Sequence, residues 1–356
     1  MKSYSLPLKK DFEKVFDNLK SHLIVLKNNR GMEVALSDYG ARIVSIIVPD
    51  KNGKKVDVVL GFNTIEKYLN ANEIYHGVTV GRFANRIAGG KFKIDDKSYQ
   101  IAPNNGPNAL HGGKLGFHNR IWSRRVNDMS QAEFYLVSPD GESGFPGNLT
   151  VSVQYILTEE NELAICYRAH SDKSTIINLT NHAYFNLNGE GNGPVYNHQI
   201  CIDADHYLPV DSTQIPTGEK KECKGGAFDF TTPKRLIDQL AIPDDQTKDA
   251  GGYDHNFILN NKEYQLKKPV AIAVSPLTGI ALEVYTDQPG IQFYTGNALQ
   301  GNDTGKSGEL YGKHSAFCLE TQGFPDAPNH PDFPSCLLIA GEEFKSDTYY
   351  RFKVNK

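Results

Sequence analysis

The sequence predicts an all-β protein built as a large antiparallel β-sandwich with few short helices, and three observations carry that prediction. Most periodic segments are short and rich in Val, Ile, Tyr, Phe and Thr, with Gly, Pro, Asn or Asp at their ends. Several consecutive segments are joined by turn-forming residues at hairpin spacing. Helical periodicity is scarce. The length of 356 residues allows two domains or one large β domain. No linker, low-complexity tract or fixed-period repeat divides the chain, so residues 21–356 are expected to form one domain after a leader, residues 1–20, of unknown role.

Taken in order, residues 32–37, 42–48 and 55–60 read as the first strands. Residues 64–70 read as a short helix opened by Thr64, whose hydroxyl suits an N-cap. Residues 91–94 and 98–101 form a hairpin across Asp95 and Asp96, and residues 150–157 and 163–169 another across residues 158–161. Residues 233–240 read as a second short helix with Pro233 near its first turn. Strands at 280–286 and 349–354 follow. Neither helix is long enough to cross over between parallel strands, which leaves antiparallel pairing.

Charge narrows the partners. Lys and Arg total 38 against 42 Asp and Glu, a net charge of -4 without long runs of one sign, so nucleic acid and acidic membrane surfaces are not expected partners. A small uncharged molecule is. No segment approaches the roughly 18 apolar residues of a membrane helix, and the amino terminus lacks a signal peptide's apolar run. Cys166, Cys201, Cys223, Cys318 and Cys336 are scattered and never in a Cys-x-x-Cys pair, so they read as free, small core residues in a reducing compartment, with the cytoplasm as the expected location.

Several motifs fail on inspection. Residues 301–307, Gly-Asn-Asp-Thr-Gly-Lys-Ser, fall one residue short of a phosphate-binding loop and open no helix, so they read as a solvated loop. Pro194 sits where a dinucleotide fingerprint in residues 189–194 needs its third glycine. The sequons at Asn148, Asn178 and Asn302 are short patterns that arise by chance. His314 and Glu320 lie on an apparent strand at an even separation that places both on one face, the only arrangement resembling a metal pair.

Chemistry concentrates in four segments: residues 81–87, Gly-Arg-Phe-Ala-Asn-Arg-Ile; residues 108–113, Asn-Ala-Leu-His-Gly-Gly; residues 178–187, Asn-Leu-Thr-Asn-His-Ala-Tyr-Phe-Asn-Leu; and residues 314–329. The last plants Glu320 in an apolar strand, and a buried carboxylate needs a partner. Singly, His182 reads as a satisfied core histidine, His111 as a turn cap, Glu320 as half of a structural ion pair, and Arg86 and Asp254 as ion-pair partners. Together, in Gly- and Asn-rich settings, they read as a binding site on rigid strand ends.

With residues 253–257 (Tyr-Asp-His-Asn-Phe) and 289–297 (Pro-Gly-Ile-Gln-Phe-Tyr-Thr-Gly-Asn), these blocks closely resemble, in order, the signature segments of the aldose 1-epimerase, or galactose mutarotase, family. The resemblance runs from about Leu23 to the carboxyl end. It implies a large antiparallel β-sandwich that interconverts the α and β anomers of free aldoses such as galactose and glucose. It also implies that Glu320 is the general base, that His182 is the general acid, and that Asn85, Arg86, His111, Asp254 and Gln292 hold the sugar. His255 and Arg82 have no such role in the pattern and read as structural. No metal or other cofactor is implied, and the choice between monomer and homodimer stays open.

The residue types suit that reaction. A hemiacetal opens when a base removes the anomeric hydroxyl proton while an acid protonates the ring oxygen; rotation about C1–C2 and reclosure give the other anomer. Each group contributes about 10²- to 10⁴-fold. Glu320 is expected to be ionised at neutral pH and His182 to titrate near the working pH. His111 and Arg86 suit developing negative charge, Asn85 and Asp254 suit a sugar diol, and Phe293 or Tyr184 offers an aromatic face. Rival readings are a glycosidase with Asp254 as its second carboxylate, an epimerase of phosphorylated sugars, and a non-catalytic sugar-binding or sugar-sensing protein.

Overall fold

The computed structural model describes residues 4–354 except 127, 262 and 264, so the first three residues of the amino-terminal segment lie outside the described residues. Pairing follows the alternation written in the strands. In Leu149–Leu157 the odd positions Leu149, Val151, Val153, Tyr155 and Leu157 are buried while the even ones are more exposed, because successive side chains leave a pleated strand on opposite faces. Burying each such large apolar side chain contributes about 1.5–3 kcal/mol.

This strand lies within a nine-stranded sheet, in the order Ser123–Val126, Gln131–Ser138, Leu149–Leu157, Glu162–Ser171, Glu343–Val354, Ile280–Thr286, Ala271–Val274, Gln199–Ile202 and Lys234–Arg235. Every neighbouring pair is antiparallel. A four-stranded meander (Leu23–Lys27, Glu33–Ser37, Arg42–Pro49, Lys55–Asp57) and a five-stranded sheet complete the sandwich. The five-stranded sheet runs Lys221–Glu222, His206–Tyr207, Asp254–Ile258, Gly290–Tyr294, Cys318–Gln322. One core joins all three: Val153 and Leu282 of the large sheet, Val34 and Ile43 of the meander, and Ile291 and Leu319 of the five-stranded sheet. The large antiparallel β-sandwich is the fold observed.

The packing of the five-stranded sheet positions the site. Leu319 and Thr321 face the large sheet: the Tyr350 hydroxyl donates to the Leu319 carbonyl at 3.4 Å, and the Thr321 and Thr348 hydroxyls meet at 2.6 Å. By strand alternation Cys318, Glu320 and Gln322 turn to the opposite face. Two short ladders bring the remaining chemistry to that side: Thr79–Val80 with Thr180–Asn181, and Arg86–Ile87 with Ala109–Leu110.

Both expected hairpins form, at residues 94–97 and 157–162. The first helix spans Ile65–Leu69, with the Thr64 hydroxyl accepting from the Lys67 amide at 3.3 Å. The second is shorter than expected: it begins at Leu236, because Lys234–Arg235 pair with Gln199 and Ile200 as the edge of the large sheet. A third, Asp245–Ala250, is capped by Asp244 and closed by Gly251 at φ +70, a cap pattern present in the sequence but in too short a segment to show periodicity.

Other expectations are corrected. Residues 301–307 are not simply solvated: the side chain of Lys306 is only 6% exposed and its ammonium bonds Asp57 at 2.8 Å. His314 and Glu320 do not share a strand. His314 sits before it with φ 61, and its ring meets the Tyr196 hydroxyl and the Gly251 carbonyl. All five cysteines are free, yet only Cys223 and Cys318 are buried; Cys166, Cys201 and Cys336 are half-buried. Within the amino-terminal segment Phe12 is fully buried against Tyr68, and Phe16 stacks on Tyr39. Among the described residues, no helix is long and apolar enough to cross a membrane.

Candidate active site

A cavity of about 400 Å³ opens over the outer face of the five-stranded sheet, within the size range of small-ligand sites. Asn85, Arg86, His111, His182, Asp254 and Glu320 all line it. Gln292 lies behind this lining, directly across the ladder from Glu320, and its amide donates to the Asp254 carboxylate at 2.8 Å. Of the two aromatic candidates, Tyr184 lines the cavity, whereas Phe293 turns the other way and packs wholly in the core against Tyr253 and Phe230. Alternation explains the difference, since Phe293 neighbours Gln292 on one strand.

Two turns clamp each other at one wall. Asn85 and His111 both adopt positive φ, at 65 and 53. The Asn85 amide donates to His111 Nδ1 at 3.1 Å, and the His111 amide donates to the Asn85 carbonyl at 3.1 Å. Gly112, at φ +82, permits the approach, because a Cβ there would lie 2.0 Å from the Gly81 carbonyl oxygen. The clamp also sets a tautomer: with Nδ1 accepting, neutral His111 carries its proton on Nε2 and is a hydrogen-bond donor.

The centre of the site is the His182–Glu320 pair, with Nε2 and Oε1 3.6 Å apart and both side chains almost fully buried. The His182 ring is held between Tyr184 and Tyr75, with centroids at 4.9 and 5.8 Å, and its Nδ1 lies 3.5 Å from the Cys318 sulfur. Glu320 Oε2 and Gln292 Oε1 are buried without a hydrogen-bond partner. Buried acceptors left open in this way are expensive unless a ligand supplies donors. Arg86 faces Asp254 at 3.6 Å and donates to Asn105 at 3.1 Å, so it pairs with Asp254 rather than directly with Glu320.

Burial dominates the electrostatics. It holds His182 down at about 4 and His111 well below the usual imidazole value, with neighbouring cationic groups adding to the effect at His111. It pushes Glu320 well above the carboxylate range, with Asp254 adding to the rise and Arg86 opposing it. The expectation of a plain ionised Glu320 and a near-neutral-titrating His182 is therefore corrected. Burial thus disfavours the charged form of both groups, moving Glu320 up and His182 down.

The ligand atoms of His111, His182 and Glu320 lie within 4.8 Å of one another, close enough to ask whether they gather a metal. The donor set argues otherwise. The Nδ1 lone pair of His111 is occupied by the Asn85 amide and its Nε2 carries hydrogen, so neither nitrogen is free to ligate. That N–H instead suits a sugar oxygen.

Arg82 and His255 stand apart from the cavity. The Arg82 guanidinium is consumed by the carbonyls of Ser138, Pro139, Pro146 and Gly147 and by the Ser138 hydroxyl. His255 Nδ1 accepts from the Asp254 amide. The cavity also contains residues that sequence reasoning did not single out: Glu73, Tyr75, Asn105, Gln214, Tyr294 and Asn297. Tyr294 and Asn297 lie inside a recognised block. Glu73 and Gln214 lie in loops that carry no signal.

This antiparallel β-sandwich, with a His–Glu pair and amides gathered over one sheet face, has the build of a carbohydrate isomerase, and comparison with known proteins gives its family. A family model described as aldose 1-epimerase matches residues 22–351, and the chain belongs to that family. It is 48% identical over 324 residues to galactose mutarotase of Bos taurus, covering 91% of this chain and 92% of the relative. It is 41% identical over 338 residues to aldose 1-epimerase of Escherichia coli (strain K12), covering 94% and 96%. Among solved structures, the aldose epimerase homologue from C. elegans aligns with a TM-score of 0.86 at 32% identity, covering 94% of this chain and all of that one. Galactose 1-epimerase from Lactobacillus acidophilus NCFM gives 0.84 at 32% identity, covering 96% and 97%.

Proposed function

We propose that this chain interconverts the α and β anomers of free aldoses such as galactose and glucose, with Glu320 as general base and His182 as general acid. The observation that carries the reading is the His182–Glu320 pair, 3.6 Å apart and buried at a cavity beside unpartnered acceptors. A cyclic aldose places its O1 hydroxyl against Glu320 and its ring oxygen against His182. Donors from Arg86 and the Nε2–H of His111 answer the sugar's acceptors, while Asp254 and Asn85 take its hydroxyls.

The proton count closes without any outside donor. Ring opening starts from ionised Glu320 and protonated His182: the O1 proton passes to Glu320, electrons collapse to form the C1 carbonyl, the C1–O5 bond breaks, and the His182 proton goes to O5. Glu320 is then protonated and His182 neutral, which is the arrangement burial favours. The directions in which burial moves the two groups are those that favour the ring-open intermediate. After rotation about C1–C2, His182 removes the O5 proton as O5 attacks the other face of C1, and Glu320 returns its proton to O1.

Asn85, Arg86, His111, Asp254 and Gln292 are assigned to substrate holding, with Gln292 acting through Asp254. Asp254 serves a glycosidase poorly, because Arg86 and Gln292 already engage it. Residues 21–356 are assigned to one catalytic unit, and five free cysteines favour a reducing compartment, the cytoplasm. The chain works as a monomer or homodimer, to be settled by sedimentation. The functional test is polarimetry of freshly dissolved α-galactose with no added metal or nucleotide. Accelerated equilibration is expected, and binding without acceleration would make the protein a sugar sensor.

A further inference from the structure

Three carboxylates line the cavity, and they are not equivalent. Asp254 has Arg86 at 3.6 Å and Glu320 has His182 at 3.6 Å. Glu73 has no basic side chain within ion-pair distance among the described residues. Its Oε1 accepts from the Tyr75 amide at 2.8 Å, the Tyr184 hydroxyl bonds it, and its charged neighbour is another acid, Asp303. Arg86 is the base opposite Asp254 and His182 the base opposite Glu320, which leaves Glu73 as the lining carboxylate without one; burial and Asp303 push its carboxyl above the usual range, the direction an ammonium partner would reverse. Around it, Tyr75, Tyr184 and Tyr294 also line the cavity. A carboxylate beside aromatic faces is the chemistry that recognises an ammonium group.

We propose that Glu73 is a specificity-determining residue that makes this cavity favour aldoses carrying an ammonium group, the amino-hexoses, and disfavour anionic aldoses such as uronic acids. The inference rests on the cavity being the aldose site. Recognition of the ammonium completes the missing ion pair of Glu73, whereas a substrate carboxylate would set a second acid beside one that already lacks a base.

The test compares mutarotation of galactose, 2-amino-2-deoxygalactose, 6-amino-6-deoxygalactose and galacturonate by the wild-type chain and by Glu73→Gln, at neutral pH, where the amines are largely protonated and the carboxyl of Glu73 keeps more of its charge than in acid. For at least one amino sugar, the kcat/KM ratio to galactose should fall about tenfold in the variant, the size of one charge-assisted contact. The galacturonate ratio should rise. Unchanged ratios for both amino sugars would overturn the proposal. Should the variant fail to fold, the wild-type protein decides. Both amino sugars turning over no better than galacturonate also overturns it. Absence of any acceleration with galactose would instead remove the epimerase reading itself.

Discussion

Two buried clusters of acidic and basic groups in this protein are left in opposite conditions. Around Lys306 everything is spent: its ammonium bonds Asp57 at 2.8 Å, the Val44 carbonyl at 2.6 Å and the Ser45 hydroxyl at 3.0 Å. Nearby, the Glu190 carboxylate accepts from the Tyr311 hydroxyl at 2.5 Å and the Ser307 amide at 3.1 Å. Around Glu320 the partners fall short. His182 stands at 3.6 Å, beyond a good hydrogen bond, and Glu320 Oε2 and Gln292 Oε1 have none. A completed network fixes a fold, while an incomplete one next to a cavity is a template for a ligand.

The sharpest way to break that contrast is Glu320→Gln, which keeps the shape and removes the base. It should lower kcat by about 10²- to 10⁴-fold in polarimetric assays while leaving the unfolding midpoint unchanged or higher. Normal turnover would mean that Glu320 is not the base. Lys306→Met should do the reverse. Leaving Asp57 buried without its cation should cost about 3–5 kcal/mol in denaturant unfolding, with kcat of the folded protein within about twofold. A catalytic loss without a stability loss would erase the distinction between the clusters.

Arg86→Ala should act mainly on KM, since it opens the contacts to Asp254 and Asn105. A charged hydrogen bond worth about 1.5–3 kcal/mol corresponds to roughly a ten- to hundredfold rise. Comparable in size, for each pH unit, is the effect of acid on stability. His76 and His198 are buried and held neutral, each near 3, with burial as the main cause. Because their folded values are depressed below the unfolded value of about 6.5, the unfolded chain binds more protons as pH falls, and each should remove about 1.4 kcal/mol per unit below that point. Guanidinium titrations at neutral and mildly acid pH should show the decline; a flat curve would show that these rings are protonated in the fold. The smallest expected effect is on catalysis. With His182 held at about 4, kcat/KM of the folded enzyme should stay level from neutrality down towards that value, whereas a break near 6.5 would mark an exposed imidazole.

The strands, both long hairpins and the Thr64-capped helix were legible because each depends on residues adjacent in the chain, where alternation and turn chemistry act directly. The sequence blocks likewise pointed to Asn85, Arg86, His111, His182, Asp254 and Glu320, which the fold gathers around one cavity. Other features were decided only by tertiary packing: Phe293 turned into the core, Lys306 drawn out of its loop onto Asp57, and Glu73 brought from a featureless turn to the same wall as Glu320. So was the direction in which burial moves Glu320 and His182. Hydrophobic alternation and recognisable segments belong to the linear chain, but desolvation belongs to the assembled interior. Only closure of the sheets removes the water, and it is that loss which pushes Glu320 up and His182 down.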